Sequence, residues 1–357
     1  MENRYLRQMV LPEVGEEGQR VLHEAKVLVV GAGGLGSPCL QYLAAAGVGT
    51  LGFVDDDVVD SSNLQRQILF STEDIGKSKA VLAKARLAAL NPQIKLAAFQ
   101  ERLSGENALE ICSPFDIIVD GTDNFKTKYL LNEVSLVLRK PLVYGSISRF
   151  EGQVAVFEGT QGPCYRCLYP DPPQSQIGSC AEQGVFGAVP GVVGSMQALE
   201  ALKWILFTKN DQESLRPLIG KLWIADFKSM HFHTLSLFSR PECLCSKEVR
   251  SLSKDFIEDV CQTLPEKMWQ DYFQSNPKPL LLDVRSEEEY EKHHLPEAQW
   301  GLECLKGLSP DQEIYVYCNM GVKSLQHCMN LREQGYRAFS LRGGLASLIE
   351  NEKIKII

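Results

Sequence analysis

The run Lys26-Val-Leu-Val-Val30, followed at once by Gly31-Ala-Gly-Gly-Leu-Gly36, limits the fold more than any other feature of the chain. Uninterrupted apolar residues of this length read as a strand buried on both faces. Glycines placed directly after a strand let the backbone turn sharply and approach a ligand closely. Pro38 to Ala46 then reads as a helix with proline in its first turn. A strand, a glycine turn and a helix open a βαβ unit, whose helix N-terminus offers amide donors and positive potential to a phosphate. Asp55 ends the next strand, Thr50 to Asp55, where a carboxylate accepts hydrogen bonds from ribose hydroxyls. Alone, the loop and the carboxylate fit an NAD-dependent oxidoreductase, and the glycines by themselves would also suit a tight strand–helix turn.

The pattern continues in the same style. Ser78 to Leu90 repeats alanine and leucine at helical spacing until Asn91-Pro92 stops it. Strands are expected at Ile94–Phe99, Phe115–Asp120 and Pro141–Gly145, a helix at Val192–Phe207, and strands at Lys221–Ala225 and His231–Leu237. Strands alternating with helices predict an α/β fold with a Rossmann-like, doubly wound sheet. Around 246–262 the periodicity loosens. A second, smaller α/β pattern follows, with strands at Leu280–Val284 and Ile314–Cys318 and a helix at Val322–Gln334. A chain of 357 residues exceeds one modest core, so two domains are expected, 1–248 and 249–357.

Charge and composition narrow the partners. A net charge of −8 disfavours nucleic acid, which wants a basic surface. No apolar stretch is long enough to span a bilayer, and the first residues lack the apolar core of a secretory signal, so a cytoplasmic protein is expected. Eleven cysteines, odd in number and irregularly spaced, then point to metal or sulfur chemistry rather than a disulfide framework.

Asp57, Asn63, Arg66 and Gln67 follow closely behind Asp55, Lys79 opens the next helix, and Asp123 follows a strand in Asp120-Gly-Thr-Asp-Asn124. A triphosphate needs cations around its outer phosphates and a carboxylate for magnesium. Hydride transfer has no such need. Taken singly, these charges would be ordinary solvated groups. Together they carry a resemblance. Residues 1–245 resemble the ubiquitin-activating superfamily, in the branch that includes the bacterial molybdopterin-synthase adenylyltransferase (MoeB) and the thiamine-pathway enzyme ThiF. The similar segments are Arg4-Tyr-Leu-Arg7-Gln, the glycine loop, Ser62-Asn-Leu-Gln-Arg-Gln67, Gly76-Lys-Ser-Lys79, Gly121-Thr-Asp-Asn124 and Glu151-Gly-Gln, then Pro163-Cys-Tyr-Arg-Cys167 and Gly194-Ser-Met-Gln-Ala-Leu-Glu200.

The resemblance implies ATP held by Gly33 and Gly36, with Asp55 on the ribose. It implies Asn63, Arg66 and Lys79 around the phosphates, Asp123 on Mg2+, and Arg7 reaching into a second subunit of a homodimer. The reaction implied is attack by the C-terminal glycine carboxylate of a ubiquitin-like sulfur-carrier protein, ending in Gly-Gly, on the α-phosphate. Pyrophosphate then leaves, and Arg66 and Lys79 offset its developing charge.

Cys164-x-x-Cys167 is half of a tetrahedral thiolate site, and Cys243 with Cys245 supplies two further thiols. The family resembled binds Zn2+ with two C-x-x-C pairs. Here Cys243-Leu-Cys245 is one residue short, which is expected to strain a shared tetrahedron. Reduced, partly buried thiols are the bland alternative. Cys180, in Ser179-Cys-Ala-Glu-Gln-Gly184, falls on a crossover loop where the sulfur-carrier branch places a cysteine that takes the activated acyl group.

Residues 280–345 resemble a rhodanese domain, from Leu282-Asp-Val-Arg285 through Glu288-Glu-Tyr, His294-Leu-Pro and Cys318-Asn-Met-Gly-Val-Lys-Ser324 to Gly343-Gly344. A loop between strand and helix can aim amides at one sulfur and stabilise a persulfide anion, so Cys318 is the expected carrier of sulfur from a persulfide donor. Lys323 stands where arginine is usual, and the stretch between Trp300 and Tyr315 is short. A structural, inactive rhodanese is therefore the alternative. His294 is read as a packing residue, and Cys39, Cys112, Cys261, Cys304 and Cys328 as small core residues. Two further classes compete less well. A tRNA-directed activator conflicts with the acidic balance, and a non-enzymatic sulfur-relay scaffold leaves the phosphate-binding residues unused.

Overall fold

The computed structural model describes residues 3–159, 162–170, 184–210, 212–246, 266–305, 309, 312–319, 322–341 and 343–349. The described residues fall into two compact units, one through residue 246 and one from residue 266. The boundary expected between 248 and 249 lies outside them, as do Cys180 and Cys261.

The first unit is built on an eight-stranded sheet. Its strands are β1 Lys26–Val30, β2 Thr50–Val54, β3 Lys95–Phe99, β4 Ile117–Asp120, β5 Leu142–Ser148, β6 Glu151–Phe157, β7 Lys221–Asp226 and β8 His231–Ser236. The spatial order is β3-β2-β1-β4-β5-β6-β7-β8. Strands β3 to β5 in that order pair in parallel, whereas β5–β6, β6–β7 and β7–β8 are antiparallel. Helices α1 Leu6–Met9 and α2 Gly15–Glu24 precede β1. Helices α3 Gly36–Ala46, α4 Lys79–Leu90, α5 Ala108–Cys112 and α6 Phe125–Leu138 connect the parallel strands. Helices α7 Tyr165–Leu168 and α8 Ala188–Lys209 lie between β6 and β7 in the chain.

The apolar run of β1 explains the two-sided core. Val27 and Val29 join Leu40 and Leu43 of α3 and Ile205 of α8 in one cluster, while Leu28 and Val30 join Leu130 and Val134 of α6 in the other. Each such side chain contributes about 1.5–3 kcal/mol on leaving water. Ser78 caps α4 by accepting from the Val81 amide at 3.4 Å, and Asn124 caps α6 by accepting from the Thr127 amide at 2.8 Å. The doubly wound expectation holds for the parallel half. The antiparallel extension is a refinement, since the sequence reading assigned no strand to Glu151–Phe157.

The chain order reverses between β1 and β4. A crevice opens there, outside the carboxyl ends of the strands, and open α/β sheets bind ligands at such a point. Both the glycine loop after β1 and the Asp123 loop after β4 end in it.

The second unit is a five-stranded parallel sheet in the order β11-β10-β12-β13-β9. Its strands are β9 Glu266–Lys267, β10 Leu280–Asp283, β11 Ala298–Trp300, β12 Glu313–Tyr317 and β13 Arg337–Leu341, with helices α9 Trp269–Gln274, α10 Glu287–Lys292, α11 Val322–Glu333 and α12 Gly344–Ile349. Alternation along β12 sends Tyr315 and Tyr317 into one cluster and Ile314 and Val316 into the other. No helix among the described residues is long and apolar enough to cross a membrane.

Candidate functional site

The crevice of the first unit is made by backbone-to-backbone approach. Gly31 adopts φ +90°, and a Cβ there would lie 2.9 Å from the Gly121 carbonyl oxygen, so the two loops touch. A Cβ on Gly36 would sit 1.9 Å from the Gly31 carbonyl oxygen, which only glycine permits. Beside the loop, a Cβ on Gly34 would meet the Arg66 side chain at 3.4 Å, and one on Gly33 would meet Nε2 of Gln67 at 3.6 Å. The strand–turn–helix expectation thus holds, and the Arg66 side chain lies against the loop.

Asp55 is turned back onto this loop. Its Oδ2 accepts from the Ala32 amide at 2.8 Å and its Oδ1 from the Asp57 amide at 2.9 Å. Burial pushes its pKa upward, against the positive charge of Lys79 and these two amides. Lys79 has a buried side chain whose Nζ reaches the exposed carboxylate of Asp57 at 3.3 Å. The Arg66 guanidinium donates to the Ser62 carbonyl at 2.9 Å and is half-buried, as is Asn63. Asp123 is exposed at the head of α6. The site therefore has cations on the β2 side and a free carboxylate on the β4 side, the distribution that a magnesium triphosphate needs. Arg7 is exposed on α1.

Three polar residues hold the Asp123 loop, and the sequence reading gave none of them that role. Asp120 is fully buried. Its Oδ1 accepts from the amide and hydroxyl of Thr122 at 3.0 and 2.6 Å, and its Oδ2 from Lys128 at 2.8 Å. Lys128 also donates to the Gly145 carbonyl at 2.8 Å, and Gln197 donates to the Asp120 carbonyl at 2.6 Å. A buried ion pair completed by other bonds is costly to break, because the remaining charge has no solvent. The available signal was Lys128 set directly before the apolar Tyr129-Leu-Leu of a helix face.

The four cysteines Cys164, Cys167, Cys243 and Cys245 meet. Their sulfurs all lie within 4.8 Å of one another, with Cys164–Cys243 at 3.5 Å, Cys167–Cys245 at 3.3 Å and Cys164–Cys167 at 4.0 Å. Four thiolates about 2.3 Å from a zinc ion would be about 3.8 Å apart in a tetrahedron. The donor set fits zinc, and the short Cys243-Leu-Cys245 spacing does not keep the four sulfurs apart. Each pair folds as a turn, closed by Cys167 amide to Cys164 carbonyl at 2.9 Å and Ser246 amide to Cys243 carbonyl at 3.0 Å, which brings both sulfurs of each pair to one side. The Arg240 amide donates to the Cys167 sulfur at 3.4 Å. Hydrogen bonding by Cys164 pulls the Cys245 thiol down to about 5, and the same bond pushes Cys164 upward.

This knuckle is clamped to α6. Asn132 accepts from the Tyr165 amide at 2.8 Å, Glu133 pairs with Arg166, and the Arg166 guanidinium covers the Tyr129 ring at 4.8 Å. Glu133 is buried, and that burial pushes its pKa upward against the Arg166 charge.

In the second unit, Cys318 follows β12 and is buried, with its carbonyl accepting from the Leu345 amide at 2.8 Å. Ser324 donates to its sulfur at 3.6 Å. Arg285, buried and forked onto Asp283, also donates to the Asn319 side chain at 3.3 Å, and Asn319 donates to Glu289 at 2.6 Å. The Ser286 amide and hydroxyl, then the Asn319 amide, hold the Glu289 carboxyl down to about 2. Lys323 is exposed, and the Met320 and Gly321 amides lie outside the described residues. His294 stacks on Tyr290 with ring centroids 4.0 Å apart, a packing role as expected. Cys39, Cys112 and Cys328 are buried, and Cys304 is half-buried.

Comparison with known proteins agrees with both units. The ThiF family model matches residues 5–247, and the rhodanese-like domain model matches residues 265–351. The chain is 52% identical over 253 residues to the sulfur carrier protein adenylyltransferase of Thermus thermophilus, covering 69% of this chain and 91% of that one. It is 38% identical over 366 residues to the probable adenylyltransferase/sulfurtransferase MoeZ of Mycobacterium tuberculosis, covering 96% and 92%. The crystal structure of Escherichia coli MccB with a MccA peptide shares the fold, with a TM-score of 0.60 at 20% identity over 70% of this chain and 75% of that one. With most of its length matched by the first model and its remainder by the second, the chain belongs to the ThiF family and carries a rhodanese-like domain after the adenylylation unit.

Proposed function

We propose that this chain is an ATP-dependent adenylyltransferase and sulfurtransferase acting on the C-terminal glycine of a ubiquitin-like sulfur-carrier protein. The observation that carries the reading is the pairing of buried Lys79 and loop-packed Arg66 with exposed Asp123 across one glycine-lined crevice. Bound ATP supplies an activated α-phosphate. Gly33 and Gly36 would let the backbone come close, Asp55 would take the ribose, Asn63, Arg66 and Lys79 would surround the phosphates, and Asp123 would hold Mg2+. A carboxylate oxygen of the carrier attacks the α-phosphorus, the bond to the β-phosphate breaks, and Arg66 and Lys79 receive the charge of departing pyrophosphate. Removing Lys79 as Lys79→Ala is expected to slow carrier-dependent ATP–pyrophosphate exchange by about 10²-fold. Wild-type exchange in that variant would refute the assignment.

The acyl adenylate is the electrophile for sulfur. The terminal sulfur of a Cys318 persulfide attacks the acyl carbon and AMP leaves. Cys180 has the resolving role: its thiolate attacks Cys318, releases the carrier as a thiocarboxylate, and leaves a disulfide for an external thiol to reduce. Such chemistry suits the reducing cytoplasm.

Cys164, Cys167, Cys243 and Cys245 would hold Zn2+ as a structural ion, which supplies no chemistry to the reaction but ties the Pro163–Leu168 segment to the region after β8. Protein purified without chelator is expected to contain one zinc per chain. Cys243→Ser should lose the metal and lower Tm, as read by metal analysis and thermal unfolding.

A homodimer is supported by an apolar groove of about 330 Å³ lined by Tyr42, Ala45, Leu199 and Leu202, and by exposed Val192 nearby on α8. Arg7 would reach a second subunit's site from this side. Carrier docking is supported by the outer hairpin β7–β8, where Met230 in the turn and Phe232 and Leu235 on the edge strand β8 are exposed.

A further inference from the structure

We propose that Ser340 is a positioning residue for the Cys318 sulfur, acting through Ser324, an inference that rests on reading Cys318 as the sulfur carrier. Three elements of the second unit bring these side chains together. Cys318 directly follows β12, Ser324 lies in the first turn of α11, and Ser340 lies on β13, in register with Val316 of β12. All three are buried: Cys318 is 3% exposed, and Ser324 and Ser340 are 0% exposed. The Ser324 hydroxyl donates to the Cys318 sulfur at 3.6 Å, and its oxygen lies 2.8 Å from the Ser340 hydroxyl oxygen.

Each hydroxyl carries one proton and can also accept. The sulfur that attacks is a thiolate, which only accepts. If Ser324 gave its proton to Ser340, none would remain for the sulfur. Donation from Ser340 to Ser324 leaves the Ser324 proton aimed at Cys318 and polarises it, as linked hydrogen bonds do in a buried setting. Ser324 touches the reacting atom, and Ser340 decides where its proton points. The step served is sulfur loading. With thiosulfate as donor, the Cys318 thiolate attacks the outer sulfur, a new S–S bond forms, the bond to the sulfonate sulfur breaks, and sulfite leaves with the electron pair.

The test compares the full-length wild type with Ser340→Val and Ser340→Thr. Valine and threonine share a shape and suit a strand, so the pair differs in the hydroxyl alone. Iodoacetamide alkylation of Cys318 at fixed pH, followed by peptide mass spectrometry, reads the sulfur directly and needs no sulfur donor. Ser340→Thr should keep the wild-type rate, and Ser340→Val should be about fivefold slower. Ser340→Ala, which adds no atoms, should be slowed likewise. A packing role for Ser340 has the opposite sign, because loosened surroundings expose a buried sulfur and speed alkylation. Equal rates in the valine and threonine variants, or a faster rate in Ser340→Val, overturn the proposal. The gain of one sulfur atom at Cys318 from thiosulfate tests the carrier reading separately. Its absence in the wild type, with alkylation rates ordered as expected, counts against that reading and still supports the Ser340 assignment.

Discussion

Gly36→Ala is expected to remove the folded first unit, with a loss above about 5 kcal/mol. The added methyl would stand 1.9 Å from the Gly31 carbonyl oxygen, and both partners are backbone, so no rotamer change relieves the contact. Gly31 cannot retreat. A Cβ on it would already press the Gly121 carbonyl at 2.9 Å, and its amide is bonded to the Val54 carbonyl at 2.8 Å. Gly33→Ala is the control, because its methyl meets only Gln67 Nε2 at 3.6 Å. That variant should fold and lose ATP affinity by filling phosphate space. Circular dichroism melts with ATP titration separate the two. A Gly36→Ala protein melting at the wild-type temperature would contradict the packing described.

Cys318→Ala is expected to abolish thiocarboxylate formation, by at least about 10³-fold, while ATP–pyrophosphate exchange continues at the wild-type rate. The division follows from the fold. Cys318 belongs to the second unit and touches Ser324, whereas every residue assigned to the nucleotide lies in the first. The expected accumulation of acyl adenylate is read by mass spectrometry of the carrier. Unimpaired sulfur transfer in Cys318→Ala would make the rhodanese-like unit structural.

The features legible in sequence were those carried by local pattern. Val27 to Val30 announced a strand buried on both faces, and its alternating side chains do enter two different clusters. Ser78 announced a helix start and does cap it. What stayed hidden depends on partners distant in the chain. Glu133 reads as one polar residue in a helix until Arg166 arrives beside it. Lys128 needs Asp120 and the Gly145 carbonyl to explain its burial. Strand β8, by contrast, is expected from the sequence at His231–Leu237 and found at His231–Ser236, although all six of its residues are exposed. The convergence of the Cys243–Cys245 pair on Cys164 and Cys167 was hard to read for a different reason. Sequence spacing counts residues, but thiolate convergence depends on turn geometry, and the turn absorbs the missing residue.

The central claim is that one chain turns ATP and a persulfide into a thiocarboxylate at a carrier's terminal glycine. Candidate ubiquitin-like carriers ending in Gly-Gly, incubated with the full-length protein, Mg-ATP and a persulfide donor, test it by intact mass spectrometry. The expected result is a carrier in which one terminal carboxylate oxygen is replaced by sulfur, formed only when ATP and donor are both present. Carriers that keep their mass across the panel, with no ATP consumed in their presence, would contradict it.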